Sequence, residues 1–143
     1  MTCVSDVMTS EVVTVGRLTG YKEIALLLTR HQISGLPVVL VDQRVAGVIS
    51  EADLVAARDK DAWRARTRTA ARRQWHGAQH AVMLAGELMT APAVTIHPDE
   101  TVTAAARVMT AHGVSRLPVV AKDGTLIGIV SQGDLLRALA GPQ

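Results

Sequence analysis

Apolar positions in the first part of the chain follow two spacings. Residues 12–15 form a short apolar run that suits a buried strand. In residues 20–31 the apolar side chains recur at helical spacing, with Ile24, Leu27 and Leu28 on one face. Thr19 stands just before this stretch and is a residue type that caps helices. The pattern therefore predicts a strand followed by a helix that Thr19 caps.

The next part of the chain has the pattern of a hairpin followed by a helix. Residues 37–41 read as a strand that opens on a proline, where a strand tolerates that residue. Residues 42–43 predict a turn, and residues 44–49 predict the returning strand. Ser50 then predicts the cap of a helix over residues 51–60.

The second half of the chain repeats this order of elements. When the sequence is shifted by 81 residues, about 18 of the 51 positions in residues 7–57 match without a gap. The segment HQISGLPVV falls on HGVSRLPVV, and GVISEADL falls on GIVSQGDL. Asp123 and Gly124 supply a strong hairpin-turn signal. The second set comprises strands over residues 93–96, 118–121 and 125–130 and helices over residues 99–112 and 132–139.

This duplication predicts the fold. A unit of about 55 residues with three short strands buries too little apolar surface to be stable alone. We therefore expect an α/β (α+β) fold in which two β-α-β-β-α repeats pack sheet to sheet with pseudo-two-fold symmetry. The first repeat spans residues 1–60, the second spans residues 84–140, and residues 61–83 form a basic, helical insertion. Two related clefts should lie between the repeats.

Each repeat carries an S-x-x-D motif at the start of its last helix. Ser50 and Asp53 form the first motif, and Ser131 and Asp134 form the second. A carboxylate three residues after a capping serine can complete a capping box. Alternatively, it can accept hydrogen bonds from the two hydroxyls of a ribose. The motif alone leaves both roles open.

Three motifs, each present twice at matched spacing, carry a family resemblance. They are M-T before the first strand, S-x-L-P-V-V at the second strand, and G-h-h-S-x-x-D at the last helix, where h is an apolar residue. With these motifs the chain resembles a tandem pair of CBS domains (a Bateman module), named for cystathionine β-synthase. The resemblance covers residues 4–60 and 84–140.

The resemblance implies how ligands would bind. An adenosine-type ligand would place its base against one repeat and its ribose on the S-x-x-D motif of the other. The expected residues of one cleft are Val13, Ile33, Ser34, Ser131 and Asp134, and those of the other are Val94, Val114, Ser115, Ser50 and Asp53.

The two clefts differ at one matched position. The second strand of the second repeat begins with Arg116, where the first repeat has Gly35. The resemblance implies a phosphate contact for a basic residue here, and a guanidinium suits that role. We therefore expect the cleft with Arg116 and Asp134 to be the tighter phosphate site. The alternative is that Arg116 is a solvated surface arginine.

Charge is concentrated in the insertion. Seven of the 15 basic residues lie in residues 58–73, against two acidic ones, so that stretch has a net charge of about +5. Trp63 and Trp75 lie in or beside it. Four interpretations compete: a solvated helix packed on the core, a dimer contact, a basic patch for nucleic acid or ligand phosphates, and a helix on a membrane surface. The slightly acidic remainder makes nucleic-acid binding the less favoured function.

Several classes of protein are disfavoured by absent motifs. Cys3 is the single cysteine, which excludes an internal disulfide and a thiolate metal cluster, and no metal site is expected. There is no phosphate loop, dinucleotide-binding motif or nucleophile elbow, so we expect neither an enzyme nor a prosthetic group. No apolar run approaches the roughly 20 residues of a membrane span, and no leader is evident, so we expect a cytoplasmic protein.

The resemblance implies a regulatory function. We expect a sensor that binds AMP, ADP, ATP or S-adenosylmethionine in the clefts and transmits occupancy to a partner. It also implies a homodimer, and the partner would be regulated in trans unless the chain is a piece of a longer protein. The alternatives are a structural or dimerisation module with unoccupied clefts, and a nucleic-acid binder that uses the basic segment.

Overall fold

The structure is a computed structural model that describes residues 2–58 and 83–141. The predicted insertion at residues 61–83, with its competing interpretations, lies outside these residues except at Met83. The first repeat contains α1 (Val4–Val7), β1 (Val15–Gly16), α2 (Tyr21–His31), β2 (Gly35–Val39), β3 (Val45–Ser50) and α3 (Glu51–Arg58). The second contains α4 (Ala85–Leu88), α5 (Val102–His112), β4 (Arg116–Val120), β5 (Leu126–Ser131) and α6 (Gln132–Ala140).

The predicted mixed fold with two sheets is confirmed. In the first sheet β1 runs parallel to β2, and β2 pairs antiparallel with β3. In the second sheet β4 pairs antiparallel with β5 in the matching register. Gly124 has a positive φ of 89° in the turn between β4 and β5, where the sequence predicts a hairpin. The described parts of both repeats thus share one hairpin design.

Two predictions near the start of the first repeat are wrong. The strand predicted over residues 12–15 begins only at Val15, because pairing with β2 starts there. Val13 instead packs half-buried on the first core and lines a cavity. Thr19 does not cap α2, because its hydroxyl accepts a hydrogen bond from the Gly16 N–H at 3.1 Å. Gly20 is the residue at the cap position, and a glycine has no side chain that could accept a hydrogen bond from the first turn of the helix.

The strand predicted over residues 93–96 is reduced to one bridge. The Ile96 N–H donates to Pro118 at 3.0 Å, and the Val120 N–H donates to Ile96 at 2.9 Å. A parallel ladder would next need an N–H two residues after Ile96, and Pro98 has none. The His97 ring bonds the free Val120 carbonyl instead, with Nδ1 3.0 Å from the oxygen. Pro98 therefore prevents the pairing from extending beyond Ile96, whereas residues 93–95 of the predicted strand do not pair with β4.

Each repeat begins with a four-residue helix that the sequence did not predict. Each of these helices forms backbone hydrogen bonds with the other repeat. The Val4 N–H of α1 donates to Glu100 at 2.8 Å, and the Ala85 N–H of α4 donates to Thr19 at 2.7 Å. The segment after each helix also pairs with the other repeat. Thr9 forms a β-bridge with Ile129, and Thr90 forms one with Val48. The repeats are therefore joined by exchanged backbone hydrogen bonds.

The exchange extends to the hydrophobic cores. Leu88, from the second repeat, is fully buried in the core that Ile24, Leu36 and Ile49 form in the first. Val4, from the first repeat, is fully buried in the core of the second. Because each core includes a helix from the other repeat, we infer that neither repeat is complete without its partner.

The pseudo-two-fold axis passes where equivalent residues meet. Arg44 and Thr125 occupy matched positions in the two hairpins, and they bridge each other. Gly35 and Arg116 also occupy matched positions, and the Arg116 side chain lies directly against Gly35. Both contacts lie between the two sheets. The two sheets therefore meet about an axis at which Gly35 lies beside Arg116 and Arg44 lies beside Thr125.

The exchanged core predicts one cooperative unfolding transition. Leu88→Ala should lower the free energy of unfolding by about 2–5 kcal/mol, since it removes a fully buried side chain. Leu18→Ala is the control, because Leu18 is 83% exposed and should change stability by less than about 0.5 kcal/mol. Urea denaturation followed by circular dichroism would measure both variants. Two separate transitions, or an unchanged midpoint for Leu88→Ala, would contradict the shared core.

Candidate functional site

A cavity of about 310 Å³ lies between the two repeats. Its volume is at the lower end of the roughly 300–1,000 Å³ typical of small-molecule sites. Both repeats contribute to its walls. The lining residues are Thr9, Glu11, Val12, Val13, Gln32, Ile33, Ser34 and Gly35 from the first repeat and Arg116, Ile129, Ser131 and Asp134 from the second.

Backbone pairing between the repeats positions these walls. The Thr9 N–H donates to Ile129 at 2.8 Å, and the Ile129 N–H donates back to Thr9 at 2.9 Å. This pair holds the segment with Val12 and Val13 beside β5, at whose end Ser131 lies. The cavity is therefore a direct product of the exchange that joins the repeats.

The apolar part of the cavity comes mainly from the first repeat. Val12, Val13 and Ile33 are half-buried, and Ile129 adds an apolar side chain from the second repeat. Val13 and Ile33 also pack on the core of the first repeat, which fixes their positions. A flat aromatic ring is a suitable occupant for such a surface.

Asp134 lies at the polar end of the cavity. Its Oδ2 accepts a hydrogen bond from the Ser131 N–H at 2.9 Å, while the Asp134 N–H donates to Ser131 Oγ at 3.2 Å. These two bonds form the capping box that begins α6. Oδ1 of the same carboxylate pairs with Arg137 Nη2 at 2.6 Å. The capping function therefore uses one carboxylate oxygen and leaves the other able to accept further hydrogen bonds.

Arg116 reaches across the pseudo-two-fold axis. Its Nη2 donates a hydrogen bond to Ser34 Oγ of the first repeat. A Cβ at Gly35 would lie 2.5 Å from Arg116 Nη1, so the glycine leaves room for the guanidinium. Burial lowers the pKa of Arg116 from its ordinary value, and the nearby carboxylates of Glu51 and Asp53 oppose that shift. Arg116 is thus a half-buried cation on the cavity wall.

The residues predicted for the second cleft lie at equivalent places in the fold. Ser50 and Asp53 form a capping box like that of the other repeat, with the Ser50 N–H 2.8 Å from Asp53 Oδ2. Val94 and Val114 pack half-buried against the core of the second repeat. The Ser115 carbonyl accepts a hydrogen bond from the first residue of α6 at 2.9 Å. These residues thus have the same local roles as their counterparts in the described cavity.

A profile of the CBS domain family matches residues 4–60 and 85–141, which together make up most of the chain. The chain belongs to the CBS domain family. It is 31% identical over 133 residues to the uncharacterized protein MJ1426 of Methanocaldococcus jannaschii, covering 82% of this chain and 79% of that protein. It is 28% identical over 132 residues to an inosine-5'-monophosphate dehydrogenase of Korarchaeum cryptofilum, covering 92% of this chain and 23% of the enzyme.

Solved structures of other CBS pairs have the same fold. CBSX2, a CBS-pair protein of Arabidopsis thaliana, matches in its complex with AMP at a TM-score of 0.78 and 28% identity. That match covers 97% of this chain and 96% of CBSX2. The CBS pair of protein MJ0100, in complex with 5'-methylthioadenosine and S-adenosylmethionine, matches at a TM-score of 0.79 and 26% identity. It covers 100% of this chain and 99% of that one.

Sequence reasoning missed several residues of the site between the CBS repeats. Thr9 and Ile129 line the cavity because they pair with each other across the repeats, and the sequence does not show this contact between distant segments. Glu11 and Gln32 line the cavity without belonging to a predicted motif. Arg137 had a local signal, because it lies three residues after Asp134 on a helix and can pair with it.

Residues 2–58 and 83–141 lack a metal-binding cluster and a membrane-spanning helix. No group of three or more His, Cys, Asp and Glu side chains in these CBS repeats is arranged to hold a metal ion. Within the same residues, no helix has the length and apolar character needed to cross a membrane.

The capping box of the second CBS repeat should contribute measurably to stability. Asp134→Ala should lower the free energy of unfolding by about 1 kcal/mol, because the Ser131 N–H loses its acceptor. Asp134→Asn should cost less, since the amide oxygen can still accept that hydrogen bond. Urea denaturation without ligand would measure both. Equal stabilities for the wild type and Asp134→Ala would show that the capping box contributes nothing.

Proposed function

We propose that this CBS pair is a regulatory module that binds an adenosine-type ligand between its repeats. The observation that carries the proposal is that three kinds of side chain line one cavity. Val13 and Ile33 offer an apolar wall, Asp134 offers a carboxylate oxygen, and Arg116 offers a guanidinium. A nucleotide has the complementary parts: a flat base, a ribose with two hydroxyls and a phosphate.

The arrangement suggests an orientation for the ligand. The base would lie against the half-buried Val13 and Ile33. The ribose hydroxyls would donate to Asp134, whose backbone bonds in the capping box hold the carboxylate in place. A phosphate would accept charge-assisted hydrogen bonds from Arg116, which already donates to Ser34 in the same cavity.

Related structures support this class of ligand. CBSX2 was solved with AMP, and the MJ0100 pair with 5'-methylthioadenosine and S-adenosylmethionine. All three molecules contain adenine on a ribose ring, whereas their 5' substituents differ in charge. For this chain we propose AMP, ADP, ATP or S-adenosylmethionine as the ligand, with the Arg116 cavity favouring the phosphorylated members.

We propose that the module regulates a partner and catalyses no reaction. The chain corresponds to 23% of the dehydrogenase and 24% of a homoserine O-acetyltransferase from Methanohalobium evestigatum, so most of each enzyme lies outside the match. A ligand that touches both repeats would favour one arrangement of the repeats over others. A partner protein that binds one arrangement would then respond to ligand concentration.

A second candidate function is a structural module with unoccupied clefts. Its support is that Asp53 and Asp134 both form capping boxes, so their presence has a purely structural explanation. The two candidates differ in whether the cavity binds nucleotides at physiological concentrations.

A thermal-shift screen separates the two candidates. Adenosine, AMP, ADP, ATP and S-adenosylmethionine would be tested on the full chain, since a ligand that binds the folded state raises Tm. We expect at least one phosphorylated nucleotide to raise Tm, with Arg116→Ala reducing its affinity by roughly tenfold or more, the effect of losing a charge-assisted hydrogen bond. Arg107→Ala is the control, because that exposed arginine does not line the cavity.

Two results would count against the nucleotide proposal. If every ligand in the screen leaves Tm unchanged at millimolar concentration, the structural candidate is favoured. If a nucleotide binds but Arg116→Ala leaves its affinity unchanged, the phosphate contact is assigned to the wrong residue.

We further propose that the pair forms a homodimer through its last helices. Val55 on α3 and Leu136 on α6 are equivalent positions, and they are 71% and 68% exposed. Such matched apolar side chains favour contact with a second copy. Sedimentation velocity should show a dimer for the wild type and a shift towards monomer for Val55→Asp with Leu136→Asp. A monomeric wild type, or an unaffected double variant, would exclude this interface.

A further inference from the structure

The two S-x-x-D motifs differ in the residue that lies one helical turn beyond the aspartate. In the second repeat, Asp134 Oδ1 pairs with Arg137 Nη2 at 2.6 Å. The matched position in the first repeat is Ala56, which has no charge to offer Asp53. Asp134 therefore has a guanidinium from its own helix beside it, which the first repeat does not provide at the matched position.

The local backbone lets this arginine fold back over the start of α6. A Cβ at Gly133 would lie 3.4 Å from Arg137 Nη1 and 3.7 Å from Ser131 Oγ. Both are ordinary van der Waals distances, so the Arg137 guanidinium and the Ser131 hydroxyl both lie next to Gly133. The guanidinium is therefore placed beside the first turn of α6, where Ser131 and Asp134 line the cavity.

The ion pair can exchange partners readily. The Arg137 side chain is 75% exposed, whereas that of Asp134 is 15% exposed. An exposed ion pair contributes little to stability, and the guanidinium can return to water at small cost. The oxygen that Arg137 occupies is also the one that the capping box leaves for a ligand.

We infer that Arg137 is a specificity-determining residue that selects phosphorylated over unphosphorylated adenosine ligands. The inference rests on the proposed function of the cavity. Without ligand, Arg137 pairs with Asp134. When ribose hydroxyls bind Oδ1, the guanidinium is released or shared, and a phosphate on the same ligand gives it a new anionic partner. An unphosphorylated nucleoside gives it none.

The consequence is a difference in affinity between two ligands that share a base and a ribose. Adenosine competes with Arg137 for Asp134 and gains nothing from its release. AMP competes for the same oxygen, but its phosphate can then bind the released Arg137 guanidinium in addition to that of Arg116. Removal of Arg137 should therefore weaken the binding of AMP and leave the affinity for adenosine unchanged or slightly higher.

Isothermal titration of the full chain with adenosine and with AMP tests this inference. The ratio of the adenosine Kd to the AMP Kd should fall about tenfold in Arg137→Ala, the usual effect of losing one charge-assisted contact. Arg107→Ala should leave the ratio unchanged, which controls for a general loss of positive charge. The ratio should also fall with added salt in the wild type and change less in Arg137→Ala.

The outcomes separate this inference from the proposed function. If the wild type binds AMP and the ratio is unchanged in Arg137→Ala, or both ligands weaken equally, Arg137 has no selective role. The same conclusion holds if the wild type binds adenosine but not AMP. If the wild type binds neither ligand, the proposed function fails and this inference fails with it.

Discussion

The exchange of backbone hydrogen bonds between the repeats is the interaction on which the rest of the structure depends. Thr9 pairs with Ile129 and Thr90 pairs with Val48, so the start of each repeat completes the sheet region of the other. The short helices that precede these bridges then complete both cores. A lone repeat would lack part of its core and leave these backbone groups unpaired, which is costly for buried groups. The described cavity exists because this exchange brings two distant segments together.

The two repeats are related by pseudo-two-fold symmetry, and a few differences between matched residues make their clefts unequal. Gly35 and Arg116 meet on the pseudo-two-fold axis, where two arginines would bring like charges together and two glycines would offer no charge. Arg137 and its counterpart Ala56 differ in the same sense. Both arginines belong to the second repeat. Arg137 pairs with Asp134, whereas Arg116 lies on the wall of the same cavity and near Glu51 and Asp53 of the first repeat. The two S-x-x-D motifs therefore have similar local geometry but different electrostatic surroundings.

Local signals predicted much of this structure, and contacts between distant segments account for most of the rest. The hairpins and main helices follow from apolar spacing and turn residues, and both serine caps were expected from S-x-x-D. The role of Thr19 was mistaken because its hydroxyl has a competing partner in the Gly16 N–H. The strand over residues 93–96 was overestimated because only Ile96 of these residues pairs with β4, and an apolar run does not show which of its residues meet a partner strand. The cavity residues Val13, Ile33, Ser34, Arg116, Ser131 and Asp134 were expected together from the family resemblance, whereas Thr9 and Ile129 needed the fold.

The central claim is that one adenosine ligand contacts both repeats in the cavity that contains Arg116 and Asp134. A crystal structure of the full chain with AMP tests it most directly. We expect adenine against Val13 and Ile33, and ribose hydroxyl oxygens within about 2.5–3.0 Å of Asp134 Oδ1. We also expect the phosphate within hydrogen-bonding distance of the Arg116 guanidinium. AMP bound only beside Asp53, or through contacts with a single repeat, would contradict the claim.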